Sequence, residues 1–182
     1  MNLSISIACY RWVIDAHRRR DRLDYSRWGW PLPYLQSIEP PEENQTRQDW
    51  MIDRVQDLGL QGFYFHALEL GDRETAEAFK QKMADRNLTY CGGLALNLAA
   101  DEDEWQATEY DSAVKQMQLN AWAGARIGTL THLQVARYNH FTTDPPVAEQ
   151  LARATRNLAT LLPLCEEYGM VMAWENHMDY RL

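Results

Sequence analysis

Glu175, Asn176 and His177 stand together directly after an apolar run, Met170-Val171-Met172-Ala173-Trp174. An acid, an amide and an imidazole at the end of an apolar strand can bind a divalent cation or move a proton. Successive residues of an extended chain point to opposite sides, so Glu175 and His177 share one side and Asn176 takes the other. The plainer alternative is that Glu175 ends the strand and faces water. In parallel α/β folds the reactive groups sit at the carboxyl ends of the strands. That rule adds Tyr10, Arg11 and Trp12, then His66 and Glu69, then Asn97, then His132, Arg137, Tyr138 and His140, and finally Asp179. His66 can hydrogen-bond a ligand hydroxyl or be an ordinary strand-end histidine. Arg137 can pair with a phosphate, orient a hydroxyl, or lie on the surface. His17 and His132 read as structural residues, and Arg18-Arg19-Arg20 as a solvated run.

The elements that would position these groups alternate. Strand patterns fall at 3–9, 61–66, 89–97, 126–135 and 170–174, and their near-continuous apolar runs suit strands buried on both faces. Helix patterns lie between them. Thr46 can cap a helix with Met51, Val55 and Leu58 on one face and Gly59 at its end. Asp72 can cap a second, with Ala76, Phe79 and Met83 inward and Asn87 closing it. Asp111 opens a third, with Val114, Met117, Ala121 and Gly124 on one face, after an acidic loop over 101–110. Asp144-Pro145-Pro146 opens a fourth, which carries Val147, Leu151, Ala154, Leu158 and Leu161. Pro163 should bend it and Gly169 closes it. Gly92-Gly93 lies inside a strand and lacks the spacing of a nucleotide fingerprint, so close approach of a neighbouring element or ligand explains it better. No G-x-S-x-G, P-loop or H-E-x-x-H motif occurs.

Composition bounds the chemistry. Lys plus Arg total 18 against 26 Asp plus Glu, a formal net charge of −8. Nucleic-acid coating depends on clustered cations, so a nucleic-acid partner is not expected. There is no run of about 18 apolar residues, and hence no membrane span. The start of the chain lacks a basic stretch and reads as a strand rather than a signal peptide. Cys9, Cys91 and Cys165 are far apart in apolar runs and read as buried free thiols in a reducing, cytoplasmic compartment. No two of them lie at a zinc ligand-pair spacing.

The order βαβαβαβαβ is that of a parallel sheet with right-handed crossovers. The chain is expected to be one domain, 1–182, with a long loop insertion at about 11–45 that carries Tyr25, Trp28, Trp30 and Tyr34. An eight-stranded barrel takes about 250 residues, so the 182 residues read as five strand units of such a barrel, truncated after strand five. With no further strands, the faces of Val171 and Ala173 would lack part of their cover, and the polypeptide would be poorly soluble or self-associate.

The segment Glu166-Glu167-Tyr168-Gly169-Met170-Val171-Met172-Ala173-Trp174-Glu175-Asn176-His177 resembles the helix-four-to-strand-five stretch of the xylose isomerase-like barrels, which carry E-x-G, an apolar run, then E-N and H or T. That superfamily includes sugar-phosphate isomerases and epimerases and endonuclease IV-like proteins. The entry Gly59-Leu60-Gln61-Gly62-Phe63-Tyr64-Phe65 and the Gly124-Ala125-Arg126 entry are similar to it as well. Arg137-Tyr138, followed by Phe141-Thr142-Thr143, resembles an Arg-Tyr stretch after strand four in some of these proteins.

The resemblance implies a (β/α)8 TIM barrel in which Glu175 is a ligand of a divalent metal (Mn2+, Mg2+ or similar) and also an acid/base carboxylate. The remaining ligands are expected beyond Leu182. It implies an isomerase or epimerase acting on a sugar or sugar derivative. Glu175 and His177 are then the catalytic pair, and His66, Asn97, Arg137 and Tyr138 bind substrate. The expected partner is a small carbohydrate, and a homo-oligomer stays open. Two rivals remain: a metal-dependent lyase of the same superfamily, including one that cleaves C-glycosidic bonds, and, from another class, a five-stranded flavodoxin-like binding domain or a non-catalytic fragment. Strand order 2-1-3-4-5 would mark the flavodoxin-like domain.

Overall fold

The computed structural model describes residues 4–6, 46–130 and 145–174. Strand β1 is Ser4–Ser6. Helix α1, Arg47–Asp57, starts where Thr46 accepts a hydrogen bond from the Asp49 amide. Strand β2, Gly62–His66, runs into a short 3-10 turn, Ala67–Leu70. Helix α2, Arg73–Asp85, is capped by Asp72, whose carboxylate accepts from the Thr75 amide. That bond holds the Asp72 carboxyl below the usual carboxylate range. Strand β3 is Thr89–Leu94. Three consecutive helical pieces follow: α3, Glu102–Glu104; a π-helical stretch, Trp105–Glu109; and α4, Tyr110–Trp122. Strand β4 is Ile127–Leu130, helix α5 is Val147–Tyr168 with Pro163 inside it, and strand β5 is Val171–Trp174.

All five strands are parallel and neighbour one another in chain order, β1-β2-β3-β4-β5. Sequential order is what repeated right-handed βαβ units produce in a barrel wall. It decides against the 2-1-3-4-5 order of a flavodoxin-like sheet.

The register separates the two faces of the sheet. Tyr90 packs edge-on against Phe79 of α2 at 5.1 Å between ring centroids. Leu94 and Leu130 join Met117 of α4, Ala154 and Leu161 of α5, and Met170 in one buried cluster. Tyr90, Gly92, Leu94, Gly128 and Leu130 therefore face the helices. Tyr64, His66, Cys91, Gly93, Ile127, Thr129, Val171 and Ala173 alternate onto the opposite, inner face. On that face Ile127 is 45% and Val171 66% exposed.

The paired glycines of β3 serve both faces. A methyl at Gly92 would overlap the side-chain amide of Asn120 on α4, and a methyl at Gly93 would overlap the phenol of Tyr64. Close approach of neighbouring elements, the sequence expectation for this pair, is what the sheet shows.

The core is built as the sequence patterns require, with several corrections. On α1, Trp50, Met51, Ile52 and Val55 are buried, but Leu58 is 57% exposed because the helix has ended at Asp57. On α5, Ala154 and Leu161 are buried while Leu151 points outward. The acidic stretch 101–110 is not a loop. Asp101 accepts from the Glu104 amide, and the chain is helical from Glu102. Asp111 is therefore inside a helix; of the expected face Met117 is buried and Ala121 packs against the core, whereas Val114 is half-buried and Gly124 exposed, and Ala113, Gln116, Leu119 and Asn120 complete the buried set of α4. Trp105 explains the early start: it is buried, and its indole N–H donates to Thr160 of α5 at 3.2 Å. Cys165 is buried and Cys91 half-buried; both are free thiols whose pKa burial raises. Cys9, the 11–45 insertion and the expected strand residues 131–135 lie outside the described residues. No helix among the described residues is long and apolar enough to cross a membrane.

Candidate functional site at the carboxyl ends of the strands

His66 is the last residue of β2 and pairs in register with Gly93, which is level with Thr129 and, through it, Ala173. The imidazole is half-buried and meets the Tyr64 ring edge-on at 5.7 Å between centroids. Both stand on the inner face, so the structure places His66 at the mouth of the sheet, as the strand-end rule requires. Glu69 lies in the 3-10 turn after β2 and is exposed.

Asn97 was expected at the end of a strand reaching residue 97. The strand stops at Leu94, and Asn97 belongs to the connection that follows it. Residues 95–100 nevertheless have a defined course, because side chains of three helical pieces take up their backbone groups. Gln116, fully buried on α4, accepts from the Ala95 amide at 2.8 Å and donates to the Ala95 carbonyl at 3.1 Å. It thus imitates the two bonds a neighbouring strand would make. Glu109 accepts from the Asn97 amide at 2.9 Å. Asn157, buried on α5, donates to the carbonyls of Leu98 and Ala100, both at 2.9 Å. Leu96, Leu98 and Ala100 are buried between these contacts. Asn97 itself donates from its side chain to Glu104 at 3.4 Å, while its side-chain oxygen is buried with no hydrogen-bond partner among the described residues.

Sequence reasoning missed Gln116, Glu109 and Asn157. One signal was available. Gln116 and Asn120 occupy the same helix face as Ala113 and Met117, and an amide at a core position needs a polar partner. Glu109 and Asn157 carried no comparable mark.

Of the residues expected at the site, the structure brings His66 and Asn97 to the same end of the sheet, on the adjacent strand exits of β2 and β3. Glu175, Asn176, His177 and Asp179, Arg137 and Tyr138, His132 and His140, and Tyr10, Arg11 and Trp12 lie outside the described residues, as do His17 and Arg18-Arg19-Arg20. Trp174, immediately before Glu175, is level with Leu130 and Leu94. Among the described residues no three His, Cys, Asp or Glu side chains stand together so as to hold a metal ion.

A sequential parallel sheet with helices packed on one face defines the class: a parallel β/α barrel-type domain. Residues 52–182 match the family described as the xylose isomerase-like TIM barrel, and the chain belongs to that family. No curated protein matches it. Among solved structures, the fold is similar to a D-psicose 3-epimerase determined in the presence of D-fructose, at 13% identity and TM-score 0.63, covering 81% of this chain and 53% of that one. A D-psicose 3-epimerase with D-tagatose from Clostridium cellulolyticum H10 is similar at 11% identity and TM-score 0.61, covering 70% and 46%. An L-ribulose 3-epimerase is similar at 16% identity and TM-score 0.51, covering 73% and 45%. The chain spans about half the length of these structures.

Proposed function

We propose that this chain forms the first five strand units of an isomerase or epimerase acting on a free or derivatised sugar. The observation that carries the reading is the mouth itself. In a sheet of sequential parallel order, His66 and the pinned segment 95–100 stand at the carboxyl end, and β5 at that same end leads directly to Glu175. Val171 and Ala173 of β5 share the face of His66.

On this reading Glu175 exchanges a proton with a substrate carbon next to a carbonyl, and His177 orients Glu175. His66, Asn97, Arg137 and Tyr138 hold hydroxyl groups and so fix which carbon the carboxylate meets. The resemblance also implies a divalent metal on Glu175. The described side chains do not by themselves fit such an ion, so no step is assigned to it. The solved epimerases of similar fold suggest ketoses as the first substrates to try.

The test is incubation of the full-length protein with D-fructose, D-psicose, D-tagatose and L-ribulose. Each would be run after exhaustive chelation and again with Mg2+ or Mn2+ restored, and products would be resolved by chromatography. Interconversion of one pair at carbon 3, lost on chelation, is the expected result. No turnover of any of the four with either metal would overturn the reading.

A further inference from the structure

Tyr64 pairs in register with Cys91, yet its phenol lies over Gly93, two residues nearer the carboxyl end of β3. Any β-carbon at Gly93 would overlap the phenol. The side chain therefore leans along the inner face toward the mouth. It reaches the level of His66, which pairs with Gly93 and whose ring it meets edge-on at 5.7 Å between centroids. Both residues are half-buried. The rest of that level is small: Gly93 is paired with Thr129, and Thr129 with Ala173. Two residues earlier on the same three strands stand larger side chains, Cys91, Ile127 and Val171. Barrel interiors are normally filled in layers by bulky side chains. A glycine inside a strand weakens it and marks a place where another group must come close. Here the small residues leave room directly beneath the mouth, and the ring that Gly93 admits lies across that room on the β3 side.

We propose that Tyr64 is a specificity-determining residue: its ring, seated on Gly93, closes the space beneath the mouth and so limits the length of the sugar that fits. The inference rests on the sugar isomerase reading and deepens it, because it adds a chain-length limit to the substrate class. The bulk of the ring sets the limit, and the missing β-carbon of Gly93 sets its height. A methyl there would lift the ring toward the ligand. Strands β2 to β5 contain no Lys or Arg. The end of the sugar that meets the ring is therefore a neutral hydroxymethyl group, since a phosphate calls for a cationic partner.

The experiment compares D-fructose with sedoheptulose, a ketose of the same configuration next to the carbonyl and one hydroxymethylene longer. The full-length protein is used, and kcat/KM is measured for each sugar. The parent should prefer D-fructose by at least about tenfold, the scale of one carbon unit in a fitted pocket. Tyr64→Ala should remove most of that preference. Tyr64→Leu, which keeps an apolar side chain in the sheet, should remove part of it and guards against a variant that does not fold. Tyr64→Phe keeps the ring and should hold the preference to within about threefold of the parent. A ring needed only for packing would lower both constants together and leave their ratio alone. Gly93→Ala should raise the KM for D-fructose several-fold in the parent. In the Tyr64→Ala background it should raise it by less than about twofold, because no ring is left to lift. A parent without preference, or a preference in Tyr64→Ala and Tyr64→Leu within about twofold of the parent's, would overturn the inference and leave the isomerase reading standing. A parent that turns over neither sugar would also overturn it, and one that turns over no ketose at all would overturn both.

Discussion

The hydroxyl of Tyr90 on β3 donates to the side-chain oxygen of Asn120 on α4 at 2.7 Å, inside the contact between sheet and helix. Both residues are buried, and Asn120 is wholly so. Tyr90→Phe removes the donor and leaves a buried amide oxygen behind. It should lower stability by about 1–3 kcal/mol, the cost of an unsatisfied buried group, measured as a shift in urea midpoint with an unchanged slope. A variant as stable as the parent would show that the bond is replaced or unimportant.

The same phenol makes stability fall in alkali. Burial pushes its pKa well above the ordinary value, with smaller contributions from Cys91, Tyr64 and Glu69. The unfolded chain releases that proton at about pH 10, while the folded chain keeps it. The contribution is therefore complete below pH 10 and is lost as pH rises from there toward the folded pKa. Denaturant titrations at pH 8, 10 and 11 should show a steeper alkaline loss for the parent than for Tyr90→Phe. Parallel loss in the two would contradict the assignment.

Gly92 makes the Tyr90–Asn120 arrangement possible, because any β-carbon there would overlap the Asn120 amide. Gly92→Ala should cost about 1–3 kcal/mol as overpacking. In the Asn120→Ala background the same change should cost clearly less, since the two residues touch and their effects do not add. Additive losses in a double-mutant cycle would show that the glycine is needed for another reason.

Much of this was legible in the sequence, for local reasons. Thr46 and Asp72 announce their helices by the caps they form, and Gly169 closes α5 in the left-handed conformation that glycine accepts readily. The order of strands followed from unbroken alternation. The start of the third helix was misread because Asp101-Glu102-Asp103-Glu104 looks like a solvated acidic run. In the fold Asp101 is a cap and the acids sit on the first turn, where the helix dipole favours them. Residues 95–97 were read as the end of a strand, as part of the apolar run 89–97. What positions the segment 95–100 is long-range, through Gln116 and Asn157, which lie 21 and 59 residues away from their partners Ala95 and Leu98. No local pattern carries such pairings. The strand-end rule located His66 at the end of β2 and Asn97 in the connection just after β3.

Ile127 and Val171 are paired in register on the inner face, and both are exposed. In a closed barrel that face is filled by layers of side chains from all the strands. The 182-residue polypeptide should therefore self-associate at micromolar concentration, and Ile127→Thr with Val171→Thr should weaken that association. Sedimentation velocity measures both. A monomeric parent polypeptide would contradict the expectation.

The central claim is that the carboxylate following β5 performs the chemistry. Glu175→Gln in the full-length protein keeps the size of the side chain and removes its charge. The account predicts that epimerisation of the preferred ketose falls by at least about a hundredfold, the low end for acid/base catalysis. The metal-free protein should keep its stability to within about 0.5 kcal/mol, as surface substitutions do. Turnover and metal content within a few-fold of the parent would show that Glu175 only ends a strand, and would contradict the account.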